Sequence, residues 1–321
     1  MIENKARLDK TDLKLLSELD RNSRAPITRI AKKLRINQAT LNFRLNRLIK
    51  ENIILSFYPS IDWSKLGYMI FRVYLKFQNT SPIKEKEILD DLTKTKICTI
   101  VAELEAFYDI LFMLTVKHNK EFYSFWNKFK EKYKQFISEE NISVMTKVEH
   151  FKRNYLLNTN YREIEIVGNS EEIKTDEEDK KILSLLAKNC RISSLEISKS
   201  ADIPARTVIY KIRQLEKKGI IQGYRVNINL EKINYNYYKI NFILSDNKRL
   251  QELNSFCRHH PNIIYIDYSI SKWDFEIDLE IENNKLKDFI RKLKEKFPIF
   301  KDIEIISFTK YHKIETIPQE Y

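Results

Sequence analysis

Leu13, Leu16 and Leu19 recur at helical spacing among polar neighbours and predict a first amphipathic helix. Asp9 can cap it, and Asp12 falls in its first turn, where negative charge suits the helix dipole. A second helix follows over residues 27–34, turning Ile30, Ala31 and Leu34 inward. After a short turn a third runs over 38–51 with Leu41, Leu45 and Leu48 on one face, and Asn52 stands where a left-handed residue would stop it. The apolar run 53–57 reads as a strand. Beyond it the pattern predicts strand 69–77, helix 82–95, hairpin strands 98–104 and 108–116, helix 120–136 and strand 142–151.

The same succession then returns. Displaced by 167 residues, Asp12 meets Asp179, Leu19 meets Leu186, Asn22 meets Asn189, Arg24 meets Arg191, and Thr40 meets Thr207. The apolar faces repeat in register too: Leu41, Leu45 and Leu48 meet Val208, Ile212 and Leu215, and the third helix of this copy ends in Lys217-Lys218-Gly219. Apolar matches alone could arise by chance; Asp, Asn, Arg and Thr in the same register mark a duplication. The second copy continues with strand 237–244, helix 247–259, strands 263–268 and 275–281, helix 285–297 and strand 303–311.

Helix, turn, helix and strand is the layout of a winged helix-turn-helix, with runs 53–57 and 220–224 as the first wing strands. Strand, helix, two strands, helix and strand is the ferredoxin-like split βαβ order. The sequence therefore predicts an α+β protein with a winged helix-turn-helix over 1–60 and a ferredoxin-like domain over 61–152. A polar linker over 153–174 leads to a second winged helix-turn-helix over 175–228 and a second ferredoxin-like domain over 229–321. The aromatic run Phe122, Tyr123, Phe125, Trp126 and Phe129 exceeds one helix face and is a candidate for the contact between the two α+β domains, or between chains.

Composition narrows the chemistry. Lys and Arg number 57 against 45 Asp and Glu in 321 residues, a net charge of +12. The excess concentrates in residues 1–60, with 13 basic against 6 acidic side chains, and favours nucleic acid as a partner. Cys98, Cys190 and Cys257 lie far apart, which argues against a disulfide scaffold and a thiolate zinc site. The five His lack metal-ligand spacing, and four Gly leave no room for a phosphate-binding loop. The longest apolar stretch, 110–116, is far shorter than a membrane span. No cofactor, no metal, no membrane and no catalysis are expected, and a cytoplasmic location is.

Leu8-Asp9-Lys10-Thr11-Asp12-Leu13-Lys14-Leu15-Leu16 resembles the Leu-Asp-x-x-Asp-x-x-Ile-Leu opening of the Lrp/AsnC (feast/famine) transcriptional regulators. Thr40-Leu41-x-x-Arg44-Leu45-x-x-Leu48 and Thr207-Val208-x-x-Lys211-Ile212-x-x-Leu215-Glu216 resemble that family's recognition helix, and Leu66-Gly67 its exit from the wing. Arg35 and Asp202 stand where the family usually has Gly. The hairpins Ala106-Phe107-Tyr108-Asp109 and Ser271-Lys272-Trp273-Asp274 lack the Gly of the family's Gly-x-(Phe/Tyr)-Asp, beside the effector pocket of amino-acid-binding members. No small-molecule effector is assigned.

Family members usually pair as dimers of shorter chains. The resemblance thus implies self-association through the ferredoxin-like domains, an intrachain pseudo-dimer, and an imperfect inverted repeat in double-stranded DNA. Siroheme decarboxylases resemble the same two-module architecture and supply the alternative: an enzyme with Arg and His lining a tetrapyrrole-sized cavity.

The candidate DNA-binding residues are those off the apolar face of each third helix. On the first these are Gln38, Asn42, Arg44, Asn46 and Arg47; on the second, Arg206, Thr207, Tyr210, Lys211, Arg213 and Gln214. Gln and Asn suit adenine edges, and Arg suits guanine edges or phosphate. Aligned positions 39/206, 42/209 and 46/213 differ in chemistry, so the two half-sites are expected to differ.

Overall fold

The computed structural model describes residues 8–161 and 163–318; the chain ends of the first and last predicted domains, 1–7 and 319–321, lie outside the described residues. The first repeat runs α1 (Lys10–Arg21), α2 (Ile27–Leu34), α3 (Gln38–Lys50), β1 (Ile54–Ile61), β2 (Met69–Phe77), α4 (Pro82–Lys94), β3 (Cys98–Glu105), β4 (Ile110–Val116), α5 (Asn119–Tyr133) and β5 (Ile137–His150). A short β6 (Glu165–Gly168) intervenes. The second repeat runs α6 (Glu177–Lys188), α7 (Ser194–Ala201), α8 (Ala205–Lys217), β7 (Ile221–Ile228), β8 (Tyr235–Leu244), α9 (Leu250–His259), β9 (Ile263–Ile270), β10 (Phe275–Glu282), α10 (Leu286–Lys296) and β11 (Phe300–Ile314).

Local chemistry explains the helix ends. Asp9 accepts from the Thr11 and Asp12 backbone N–H groups while Asp12 accepts from that of Asp9, a reciprocal cap that Asp176 and Asp179 repeat on α6. Arg35 and Asp202 end α2 and α7 in the left-handed conformation, at φ 55° and 56°. The backbone therefore makes the turn a Gly would make, without Gly.

The wing strands find their partners across the repeats: β1 and β7 pair with each other, antiparallel, with Ile54 opposite Ile228, Tyr58 opposite Arg225 and Ile61 opposite Ile221. Ile54 and Ile221 are equivalent in the two repeats, as are Tyr58 and Arg225, and Ile61 and Ile228, so the register is its own mirror. The two modules face each other about an approximate two-fold axis through the Tyr58/Arg225 pair. The pairing satisfies an edge that each strand alone would leave open. It also exchanges core: Val226 and Ile228 of β7 are buried in the first module, and Ile61 of β1 in the second.

The two βαββαβ units share one sheet. Its order is β2-β4-β3-β11-β8-β10-β9-β5, and β5 pairs back onto β2, so eight antiparallel strands close on themselves. The junctions are β5 with β9 and β11 with β3, each joining one repeat to the other. Closure removes the exposed edges.

Two expectations need correcting. The segment 153–174, read as a linker, contributes β6 to the edge of β5 and buries Arg153, Tyr155, Leu156, Glu165 and Val167. Its polar composition concealed this because two of the five, Arg153 and Glu165, are charged side chains buried in ion pairs. The aromatic run of α5 does not join the repeats. Phe122 stacks on Phe71, and Phe125, Trp126 and Phe129 pack on Phe112, all on the outer face of its own half.

Candidate nucleic-acid interface

Each third helix docks through its apolar face: Leu41, Leu45 and Leu48 on α3, and Val208, Ile212 and Leu215 on α8, are buried. At about 100° per residue the opposite face must point to solvent. Gln38, Asn42 and Asn46 are exposed on α3, as are Arg206, Tyr210 and Arg213 on α8. Thr207 and Gln214 are half-buried at the margins.

Three of the sequence candidates are engaged within the fold. Arg44 Nη1 lies 2.7 Å from Asp9 Oδ2 and 2.9 Å from Asp12 Oδ1, and Arg47 Nη2 lies 2.6 Å from Asp12 Oδ2. Lys211 Nζ repeats this in the second module, 2.5 Å from Asp176 and 3.2 Å from Asp179. The Asp12 N–H group, and next the Arg44 guanidinium, hold the Asp9 carboxyl below the usual carboxylate range; Lys211 and then the Asp179 N–H do the same for Asp176. These cations lie on the flank of the helix that faces α1 or α6, so they tie recognition helix to first helix. A signal was available in the sequence: both repeats keep the acid pair and a cation at the 44/211 position.

This arrangement yields a prediction. Arg44→Ala and Arg47→Ala should each lower unfolding free energy by about 1–3 kcal/mol, because the wholly buried Asp12 carboxylate loses a charge-assisted partner. Urea denaturation checks this; unchanged midpoints would return both arginines to the list of free DNA contacts.

The distance between the two faces is set by reciprocal clamps. Arg24 Nη1 donates to the carbonyls of Cys190 (2.5 Å) and Ile192 (2.8 Å), and Arg191 Nη1 to those of Ser23 and Ala25. The Ser23 N–H bonds the Tyr224 carbonyl at 3.0 Å, and the Cys190 N–H bonds the Phe57 carbonyl at 3.1 Å.

Below the modules lies a buried ionic junction that sequence reasoning missed. Arg153 grips Glu280 of β10 with two hydrogen bonds (2.7 and 2.9 Å) and Asp20 of α1 with a third (2.6 Å). Arg225 lies 3.5 Å from both Asp20 and Glu165, and Lys152 pairs with Glu165. Burial works to raise the Asp20 carboxyl, yet Arg225 and Arg153 hold it below the usual range. Burial, and then Arg225, push the adjoining His150 down to about 4. The junction is one-sided: the positions equivalent to Asp20 and Arg225 hold Ala187 and Tyr58.

Two solvent-facing recognition helices mounted across a shared pair of strands define a tandem winged helix-turn-helix DNA-binding protein. The winged helix-turn-helix DNA-binding family model matches residues 8–54 and again 175–222. The HTH-type transcriptional regulator LysM of Saccharolobus solfataricus is 34% identical over 106 residues, 33% of this chain and 72% of that protein. The HTH-type transcriptional regulator YezC of Bacillus subtilis is 30% identical over 116 residues, 36% of this chain and 82% of that protein. The chain belongs to the Lrp/AsnC family of transcriptional regulators, with the helix-turn-helix duplicated. In overall fold it is similar to the siroheme decarboxylase NirDL, with a TM-score of 0.64 and 13% identity, covering 94% of this chain and 92% of that one. At that identity the likeness is one of fold. Among the described residues no helix is long and apolar enough to cross a membrane.

Proposed function

We propose that one chain presents both recognition helices to one duplex and reads an imperfect inverted repeat, acting as a transcriptional regulator in the cytoplasm. The observation that carries this is the self-reciprocal pairing of β1 with β7, which joins two modules whose exposed helix faces are unlike. In an unfused dimer identical helices impose a palindrome; here Ala39, Asn42 and Asn46 on one side answer Arg206, Ile209 and Arg213 on the other. On this reading residues 1–60 and 175–228 contact DNA, while 61–152 and 229–321 associate with each other inside the chain. Gln38, Asn42 and Asn46 would contact bases of one half-site, and Arg206, Tyr210 and Arg213 those of the other.

Binding to duplex DNA should weaken steeply as salt rises, because Lys and Arg displace condensed counterions. The selected site should be an inverted repeat with unequal halves, occupied by one chain. Exchanging residues 38–47 for 205–214 should make it more symmetric. Salt-independent binding, or a perfect palindrome bound only by two chains, would overturn the proposal.

The whole-chain likeness to NirDL keeps an enzyme reading in view. A tetrapyrrole needs a cavity of several hundred Å³, whereas the interior of the closed sheet here is filled by Arg72, Tyr74, Tyr108, Lys239 and Trp273. Mixing the protein with siroheme should leave the pigment's absorbance unchanged; a shifted spectrum would favour the enzyme.

A further inference from the structure

One feature of the recognition helices is left unexplained by their polar groups. Phe43 is 71% exposed and Tyr210 is 62% exposed, and the two positions are equivalent in the repeats. Each ring lies nearly opposite the docking face of its helix, at the centre of the surface turned to solvent. The neighbours have diverged, Asn42 to Ile209 and Asn46 to Arg213, yet a large exposed ring stands at this position in both copies. Exposed apolar area stabilises nothing in the free fold and contributes only when a partner expels water from it.

We propose that Phe43 and Tyr210 read thymine C5-methyl groups in the major groove, one ring in each half-site. The inference rests on the DNA-binding reading above. The thymine methyl is the one apolar group that base pairs present in that groove, and an aromatic side chain can pack on it. The surroundings then assign each half. On α3 the ring sits beside Asn42 and Asn46, whose amides match adenine, so all three select A·T pairs. On α8 the ring lies one turn from Arg206 and Arg213, whose guanidinium groups match guanine O6 and N7. The half-site under α3 is thus A·T-rich throughout, and that under α8 sets a thymine among G·C pairs.

The experiment uses the full chain and its preferred duplex, selected from a random pool. Each thymine is replaced in turn by deoxyuridine, which removes only the methyl group. One position in each half should weaken binding by about four-fold, the worth of one buried methyl. Phe43→Ala should abolish the sensitivity in the A·T-rich half alone, and Tyr210→Ala that in the other half alone. Both side chains are exposed, so neither variant should shift the unfolding midpoint. Indifference to every deoxyuridine, or sensitivity that survives both variants, would overturn this inference and leave DNA binding standing. Absence of any salt-sensitive duplex binding would instead overturn the reading beneath it.

Discussion

Arg153→Ala is expected to destabilise the folded chain by about 3–5 kcal/mol, the cost of removing one partner from a buried ionic cluster. The guanidinium satisfies Asp20 and Glu280 at once and also donates to the Val226 carbonyl at 3.1 Å. Its loss leaves two nearly wholly buried carboxylates with fewer partners: Asp20 keeps the residue-153 N–H at 2.7 Å and Arg225 at 3.5 Å, and Glu280 keeps Tyr155. The cost should be large because Asp20 belongs to the first helix-turn-helix, Val226 to the strand shared between modules, and Glu280 to the closed sheet. Urea unfolding of the variant measures it. Adding Glu280→Gln should recover part of the loss, since the stranded charge is then gone. A loss below about 1 kcal/mol would show that water reaches the site and that the junction carries little.

Arg72→Met should be comparably damaging, with a pH dependence that identifies the cause. Inside the closed sheet Arg72 Nη1 lies 2.9 Å from Asp267 and Nη2 contacts Glu276. Lys239, its equivalent in the second repeat, lies 2.6 Å from Asp267 and 3.2 Å from Asp278. Two cations thus face three carboxylates, and burial, only partly offset by Lys239, pushes the Asp278 carboxyl up to about 6. A carboxyl raised above its unfolded value of about 3.9 contributes stability below that pH and loses it as pH rises through 6. Without Arg72 one cation faces the same three acids, so more of them should resist ionisation. The variant should lose about 3–5 kcal/mol at pH 8 and recover a good part of it at pH 5. Equal losses at both values would show that packing, rather than charge balance, sets the role of Arg72.

The elements themselves were legible. Apolar spacing located the ten helices and the strands of both βαββαβ units, most of them to within a few residues, because each needs one buried face and the period of that face shows its type. Asp9 and Asp176 could be read as caps, since capping is settled by residues three apart. The duplication was legible for the same reason: it is a statement about order along the chain.

What the repeats do to each other was decided only in three dimensions. Residues 53–57 have the composition of a wing strand, and nothing in them says that β1 would pair with β7 or send Ile61 into the other module's core. The polarity of 153–174 read as a linker because buried ion pairs and solvated charges have the same composition. Arg44, Arg47 and Lys211 showed the right chemistry for DNA, but their rotation about the helix axis turns them toward the acids of α1 and α6. Phe43 lies off the Leu41-Leu45-Leu48 face that the spacing marks, but it carries no group that hydrogen-bonds a base edge, so polarity alone did not single it out. The sequence by itself determined two copies of a helix-turn-helix and a split βαβ fold. Tertiary structure decided that they close into one body, since register between strands far apart in the chain depends on which faces are left to bury.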